Sequence, residues 1–229
     1  MGMGSHDDGR ARAWEAAGRA AADLVSDGDR VGLGTGRAAA AGIRALGLRV
    51  ADGLRCVGVP TSRASAALGR EVGIPIARMR EPVDIALDGA DLVTPAGLAI
   101  KGGGGALVRE RIVNGSALRF VVLVDAPKVA TSLDAWGVLP VAVVPFAAEH
   151  VALALADLSP ARRPGRSDDG LAIIDLAIPA GADWERVDAR VREVPGIVDT
   201  GLVRVVPDDV LVGTLDGTVR TLSAFLRAG

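Results

Sequence analysis

RVGLGTGRAAAAGIRAL, residues 30–46, reads as a strand that turns directly into a helix. Arg30 to Leu33 is short and apolar, and the alanine-rich run from Arg37 to Leu46 has the composition of a helix. Gly34-Thr35-Gly36 makes the turn between them. Backbone amides exposed at such a junction, with the helix dipole behind them, favour an anion. The spacing from Gly32 to Gly36 is GxGxG rather than the GxGxxG of dinucleotide folds. The next apolar run ends in Pro60-Thr61-Ser62 and not in the acid that would hold a ribose, so NAD is disfavoured. A plain tight turn competes with a phosphate cradle, and the cradle is the better reading.

The same alternation extends to both sides. Arg12 to Val25 reads as a helix, Leu54 to Val59 as a strand and Ala64 to Glu71 as a helix. Ile85 to Leu87, Ala106 to Val113 and Phe120 to Val124 continue as strand, helix and strand. Strands alternating with helices predict α/β architecture, with parallel strands in a doubly wound sheet. From about Leu139 the rhythm changes: Val141 to Val144, Leu171 to Ile178 and Ile197 to Val203 read as strands. His150 to Ala156 and Trp184 to Val194 read as helices, and Ser159 to Gly170 as a polar loop. That order suits a small split-βαβ unit. Val210 to Thr214 and a closing helix, Thr218 to Leu226, are expected to rejoin the first unit. The predicted division is a catalytic domain over 1–138, rejoined by 206–229, and a small α+β domain over 139–205. The first nine residues are polar and glycine-rich and are expected to be disordered.

Ligands in open α/β sheets bind beyond the carboxyl ends of the strands. Thr35, Ser62, Asp88, Asp91 and Lys128 follow successive strands and should meet there. The densest chemistry is DGADLVTPAGLAIKGGGGALVRE, residues 88–110. It holds two aspartates, a lysine, four consecutive glycines and a glutamate on the helix that follows. Of the 26 basic residues only Lys101 and Lys128 are lysine. Lysine is a compact charge with a tunable pKa, whereas arginine is a permanently charged fork, which marks these two for close work on a ligand. Lys101 beside Gly102, Gly103, Gly104 and Gly105 forms a nest for an oxyanion or a phosphate. It is not a Walker motif, because the lysine precedes the glycines. Singly, Asp88 and Asp91 read as turn caps and Glu110 as a solvated helix residue; their spacing around Lys101 raises all three together. Arg162, Arg163 and Arg166 read as solvated loop residues, Asp125 as an orienting or turn residue, and Cys56 as core.

The 229 residues, 49% hydrophobic and 24% charged with a net charge of −2, are ordinary globular composition. No basic run marks a nucleic-acid footprint. No apolar stretch is long enough for a membrane span, and the N-terminus lacks a signal-peptide core. One cysteine excludes an internal disulfide, and two histidines make a His/Cys metal cluster implausible. A cytoplasmic location is expected.

Taken in order, VGLGTG, GVPTSRASAALGREVGIPI, DIALDGAD, IKGGGGALVRERIV, VVLVDAPK, LPVAVVPFA and the weaker VPGIVDTGL make a chain that resembles ribose-5-phosphate isomerase of the A type. The likeness spans about residues 30 to 215. It implies a Rossmann-like main domain with a smaller ferredoxin-like lid, a homodimer or homotetramer, and interconversion of ribose 5-phosphate and ribulose 5-phosphate with no metal and no cofactor. Carried over by motif, Glu110 would move a proton between C1 and C2 through a cis-enediolate. Asp88 and Asp91 would handle hydroxyl protons and ring opening. Lys101 and the glycine amides would stabilise the oxyanion, and Lys128 would be a further substrate contact. Gly34, Thr35, Gly36, Arg37, Ala38, Gly89 and Ala90 complete the expected binding residues.

The chain departs from the family pattern at four positions. The first loop usually reads GTGST, and Arg37 and Ala38 stand where the two hydroxyls would be. A lysine usual in the first helix is replaced by Trp14 or Glu15, with Arg12 or Arg37 able to compensate, and Leu92 stands where an acid is expected. The phosphate end is thus rebuilt while the chemical end is intact. Alternatives are an isomerase for another pentose or tetrose, and a non-catalytic sugar-phosphate sensor, which would need no positioned base.

Overall fold

The computed structural model of the chain describes residues 3–223. Its central sheet has five parallel strands and an antiparallel edge: β1 (Arg30–Leu33), β2 (Val57–Pro60), β3 (Ile85–Gly89), β6 (Arg119–Asp125), β12 (Asp209–Gly213) and β13 (Val219–Ser223). Their spatial order is β13-β12-β6-β3-β1-β2. Chain direction around the sheet reverses between β1 and β3, the switch point at which such folds bind ligands. Along β6, Val121 and Leu123 enter one core while Phe120, Val122 and Val124 enter the other. Both faces are covered, so the strand reads as one unbroken apolar run.

Helices α1 (Met3–Ala22) and α2 (Arg37–Ala51) pack on the first face. Helix α4 (Val108–Gly115) lies on the other, where Val113 joins the core. Helix α3 (Arg63–Glu71) follows β2 and begins with a capping box in which Ser62 and Ser65 satisfy each other's backbone amides. Two short strands, β4 (Leu92–Val93) and β5 (Ala99–Ile100), fold back as a hairpin after β3, and β11 (Leu202–Val203) pairs with β5.

The remaining sheet has the order β10-β7-β9-β8, built from β7 (Val138–Val143), β8 (Ala161–Arg162), β9 (Ala172–Ala177) and β10 (Ile197–Thr200), all antiparallel. With α5 (Ala148–Ala154) and α6 (Trp184–Arg192) it runs β-α-β-β-α-β, the ferredoxin-like order. Its core of Leu139, Val141, Ile174, Leu176, Trp184 and Val191 also takes in Leu92, Ile100 and Leu202, so the hairpin seats it on the main sheet.

Several expectations are corrected. Residues 219–223 are β13 and not helix; residues 224–226 of the expected helix lie outside the described residues. Asp216-Gly217 turns the chain, Gly217 at φ 85°, and the strand registers against β12 from Gly213↔Val219 to Asp209↔Ser223. An Asp-Gly pair between apolar runs is a hairpin signal. Helix α1 starts at Met3, so of the nine residues expected to be disordered, 3–9 are helical; Gly9 lies against Leu215 of the β12–β13 turn. The single strand expected over 197–203 is two strands in different sheets, divided at Gly201. The polar loop 159–170 contains the short strand β8.

Candidate active site

The turn after β1 packs against the end of β3 because Gly34 has no side chain. A Cβ there would collide with Asp88 Oδ1 and lie 2.5 Å from Asp88 Cα and from the Leu87 carbonyl oxygen. Gly36, at φ 105°, then turns the chain into α2, whose first amides receive no side-chain cap. The β4–β5 hairpin explains the spacing of the acids and the lysine. Asp91 precedes β4, Lys101 follows β5, and antiparallel pairing, with the Asp91 amide donating to the Ile100 carbonyl at 2.8 Å, sets them side by side.

Asp88 is fully buried, accepts three hydrogen bonds and forms an ion pair. Its Oδ1 takes the amides of Thr35 at 3.0 Å and Gly89 at 2.7 Å. Its Oδ2 takes Asn114 Nδ2 at 2.7 Å and Lys101 Nζ at 2.8 Å. Lys101, 7% exposed, also donates to the Gly89 carbonyl and stands 3.3 Å from Glu110 Oε2. Burial alone would lower the lysine's pKa, but the charges of Asp88 and Glu110 outweigh it and hold the ammonium above its ordinary value.

Glu110 sits in the first turn of α4 and is 5% exposed. Its Oε2 is buried without a well-formed hydrogen bond, with Lys101 Nζ 3.3 Å away. Burial, reinforced by the charge of Asp88, pushes the Glu110 carboxyl well above the usual range against the pull of Lys101. A carboxylate of raised basicity beside a fixed cation is equipped for proton transfer at carbon. Asp91 is half-buried, and its Oδ2 accepts the Gly103 amide at 2.6 Å.

Thr35, Gly36, Arg37, Ala38, Gly89, Ala90, Asp91, Lys101, Gly102, Gly104, Glu110 and Lys128 line one open cleft. Of the expected residues, Gly34 and Asp88 pack against each other and do not line that cleft, and Gly103 borders the adjoining chamber next to Gly104. Thr35 Oγ1 is tied to Thr61 and Ser62 hydroxyls at 2.8 Å, which fixes the turn. Lys128 donates to the Ala90 carbonyl, and burial lowers its pKa against the pull of Asp91 and Asp125. Among the described residues no group of three or more His, Cys, Asp or Glu side chains is placed to hold a metal ion.

The other end of the cleft shows how the altered loop is built. The Arg37 guanidinium stacks on Trp14 with its carbon 4.4 Å from the ring centroid, while Arg10 lies 5.4 Å from the same ring. Arg10 is held by the fully buried Asp125 at 2.7 Å. Arg37 is exposed and makes no ion pair among the described residues, so its N–H edges are available. Arg12 points elsewhere, to the Leu215 carbonyl at 3.3 Å, and does not stand in for the missing lysine.

Residue-by-residue reading missed Asn114, whose place one helical turn after Glu110 was a usable signal. It also missed Arg163, read as solvated; its side chain in fact bonds Asp175 and two glycine carbonyls. No local pattern could have shown that.

The family model for ribose 5-phosphate isomerase A (phosphoriboisomerase A) matches residues 57–217. A ribose-5-phosphate isomerase A from Thermomicrobium roseum is 44% identical over 223 residues, covering 91% of this chain and 93% of the relative. One from Natronomonas pharaonis is 44% identical over 211 residues, covering 88% and 92%. Among solved structures, ribose 5-phosphate isomerase A from Methanocaldococcus jannaschii superposes with a TM-score of 0.85 at 37% identity, covering 92% of this chain and 98% of the other. A D-ribose-5-phosphate isomerase in complex with phospho-erythronic acid gives 0.86 at 32% identity, covering 92% and 97%.

Proposed function

Because the chain belongs to the ribose 5-phosphate isomerase A family, we propose that it interconverts ribose 5-phosphate and ribulose 5-phosphate by proton transfer within this cleft. The reading rests above all on Glu110, a buried carboxylate of raised pKa set beside Lys101 and the glycine segment. In the open-chain aldose, Glu110 takes the proton from C2, and the electrons move onto the C1 carbonyl oxygen. Lys101 and the glycine amides stabilise the resulting enediolate. A proton passes from the C2 hydroxyl to the C1 oxygen, and Glu110 returns its proton to C1. Asp91, facing the cleft, carries the hydroxyl proton and assists ring opening. Asp88, both of its oxygens engaged by three donors and the Lys101 ammonium, holds Lys101 and the turn after β1 in place.

The phosphate sits at the first amides of α2, between Arg37 and Lys128. Arg37, steadied by stacking on Trp14, supplies what the lost hydroxyls would have given. The ferredoxin-like unit, over residues 139–205, acts as a lid on the catalytic unit of residues 1–138 and 206–229. Cytoplasmic residence and a homodimer or homotetramer are proposed on the family resemblance, and light scattering on the purified chain decides the latter.

The test is turnover of ribose 5-phosphate in EDTA, compared with unphosphorylated ribose and with Arg37→Ala. Charge-assisted hydrogen bonds contribute about 1.5–3 kcal/mol, so Arg37→Ala should raise KM about ten- to hundredfold for the phosphorylated sugar. An unchanged KM would move the phosphate away from Arg37 and favour an isomerase for another sugar. Tight binding of ribose 5-phosphate without turnover would indicate a sensor.

A further inference from the structure

Among the described residues, one side chain of the ferredoxin-like unit hydrogen-bonds to the glycine segment. Arg163, immediately after β8, donates from Nε and Nη2 to the two carboxylate oxygens of Asp175 on β9, at 2.7 and 2.6 Å. Its Nη1 donates to the carbonyl oxygens of Gly102 at 2.7 Å and Gly103 at 2.9 Å. The guanidinium is therefore locked on one side by a bidentate pair and presents its remaining edge to two consecutive peptides.

In a trans peptide the C=O and N–H vectors are antiparallel. A cation that gathers the carbonyls of Gly102 and Gly103 on one side therefore turns the amides of Gly103 and Gly104 to the other. That other side is the cleft: the Gly103 amide is on Asp91 Oδ2 at 2.6 Å, and Gly104 lines the cleft with its amide unpaired among the described residues. Four successive glycines have no side chains to hold this orientation; the Gly105 amide closes the turn on the Gly102 carbonyl at 3.0 Å, and Asp91 and Arg163 fix it from outside.

We propose that Arg163, fixed by Asp175, is a positioning residue that aims the Gly104 amide at the substrate oxygen while the Gly103 amide is held on Asp91. The inference rests on the reading of the Gly104 amide as an oxyanion donor. It predicts that the contact serves the charge that develops during reaction more than the binding of the phosphate.

The experiment compares wild type, Arg163→Gln, Arg163→Lys and Asp175→Asn, with Asp169→Asn as control. Asp169 pairs with Arg109 across the same loop, at 2.6 Å, without touching a glycine carbonyl. Loss of one oxyanion donor costs about 10²–10³ in kcat, and misorientation of a donor that is still present should cost Arg163→Gln about 10- to 100-fold in kcat with KM within about threefold. Arg163→Lys should recover part of this, because one ammonium can reach the carbonyls or Asp175 but not span both. Asp175→Asn should fall between wild type and Arg163→Gln. Inhibition by phospho-erythronic acid, whose carboxylate carries charge as the enediolate does, should weaken in parallel with kcat while inhibition by inorganic phosphate stays unchanged. Asp169→Asn should behave as wild type.

Equal loss in Asp169→Asn, or equal weakening of phosphate and phospho-erythronic acid, would reduce the contact to general structural support and overturn the proposal. So would an Arg163→Gln enzyme with wild-type kcat. An inactive wild type would overturn the isomerase reading and this inference with it, whereas an active wild type with an indifferent Arg163 overturns the inference alone.

Discussion

Glu110→Gln should move activity and stability in opposite directions. The substitution keeps the side chain's shape and removes its basicity, so turnover should fall about 10²–10⁴-fold, the usual contribution of a general base. At about 1.36 kcal/mol per tenfold, that is roughly 2.7–5.5 kcal/mol of barrier. Stability follows from the same burial. The folded chain raises the Glu110 carboxyl above its ordinary 4.5 by desolvation and by the charge of Asp88, against the opposing pull of Lys101. Between 4.5 and that raised value the native state binds more protons than the unfolded state. Native stability therefore declines as pH climbs through this interval, and the deficit persists above it. Each tenfold rise in proton affinity corresponds to about 1.4 kcal/mol. In a chain of this size that is roughly 3–6 °C in Tm. Glutamine carries no such penalty, and Lys101 keeps Asp88 as its partner at 2.8 Å, so no charge is orphaned. The variant should melt close to wild type near pH 4.5 (at the low end of the range) and above it at about pH 8, as read by calorimetry with turnover in parallel. If it instead melts progressively lower than wild type as pH rises, the Glu110–Lys101 ion pair outweighs burial, and the account of a destabilised base is refuted.

Other substitutions probe the frame around that base. Gly34→Ala forces a Cβ against backbone at Asp88 and Leu87; overpacking of this kind costs about 1–3 kcal/mol, so both Tm and kcat should drop, and a fully active, equally stable variant would show that the turn and the end of β3 are less closely apposed. Asn114→Leu removes the 2.7 Å donor to buried Asp88; denaturant unfolding should show a loss of about 1.5–3 kcal/mol, the range for hydrogen bonds to charged groups, and no loss would mean that Lys101 and the backbone amides suffice for that carboxylate. Trp14→Leu keeps an apolar side chain beneath Arg37 but removes the ring; a cation–π contact contributes about 0.5–1 kcal/mol at an exposed site, so KM for the sugar phosphate should rise two- to fivefold with kcat unchanged, and a change confined to kcat would contradict the stacking role.

What the sequence disclosed is what neighbouring residues can encode. The strand–turn–helix at 30–46 was legible because Gly34-Thr35-Gly36 sits between an apolar run and an alanine-rich one, and β1 and α2 stand there. The cluster of Asp88, Asp91, Lys101 and Glu110 was legible by composition, but its geometry depends on the β4–β5 hairpin, whose two-residue strands are too short to leave a periodic pattern. Thr218 to Leu226 has helix-compatible composition, and tertiary pairing with β12 overrides it over 219–223. Arg163 looked like any arginine in a polar loop, since its partners Gly102, Gly103 and Asp175 become neighbours only once two sheets are assembled. Arg37 was noticed as a departure from a pattern, whereas its seat on Trp14 required the packing of α1 against α2.

The position of α1 bears on how the protein is made. Trp14, the platform for Arg37, belongs to a helix wedged against β12, so closely that a side chain at Gly213 would strike the backbone of Ala13. On a ribosome α1 emerges early, yet the strand that seats it is among the later parts of the sheet to be synthesised. The Arg37 end of the cleft therefore remains unformed until β12 has been made, with the apolar face of α1 exposed and in need of shielding, and Trp14 can seat Arg37 only when β12 closes the sheet.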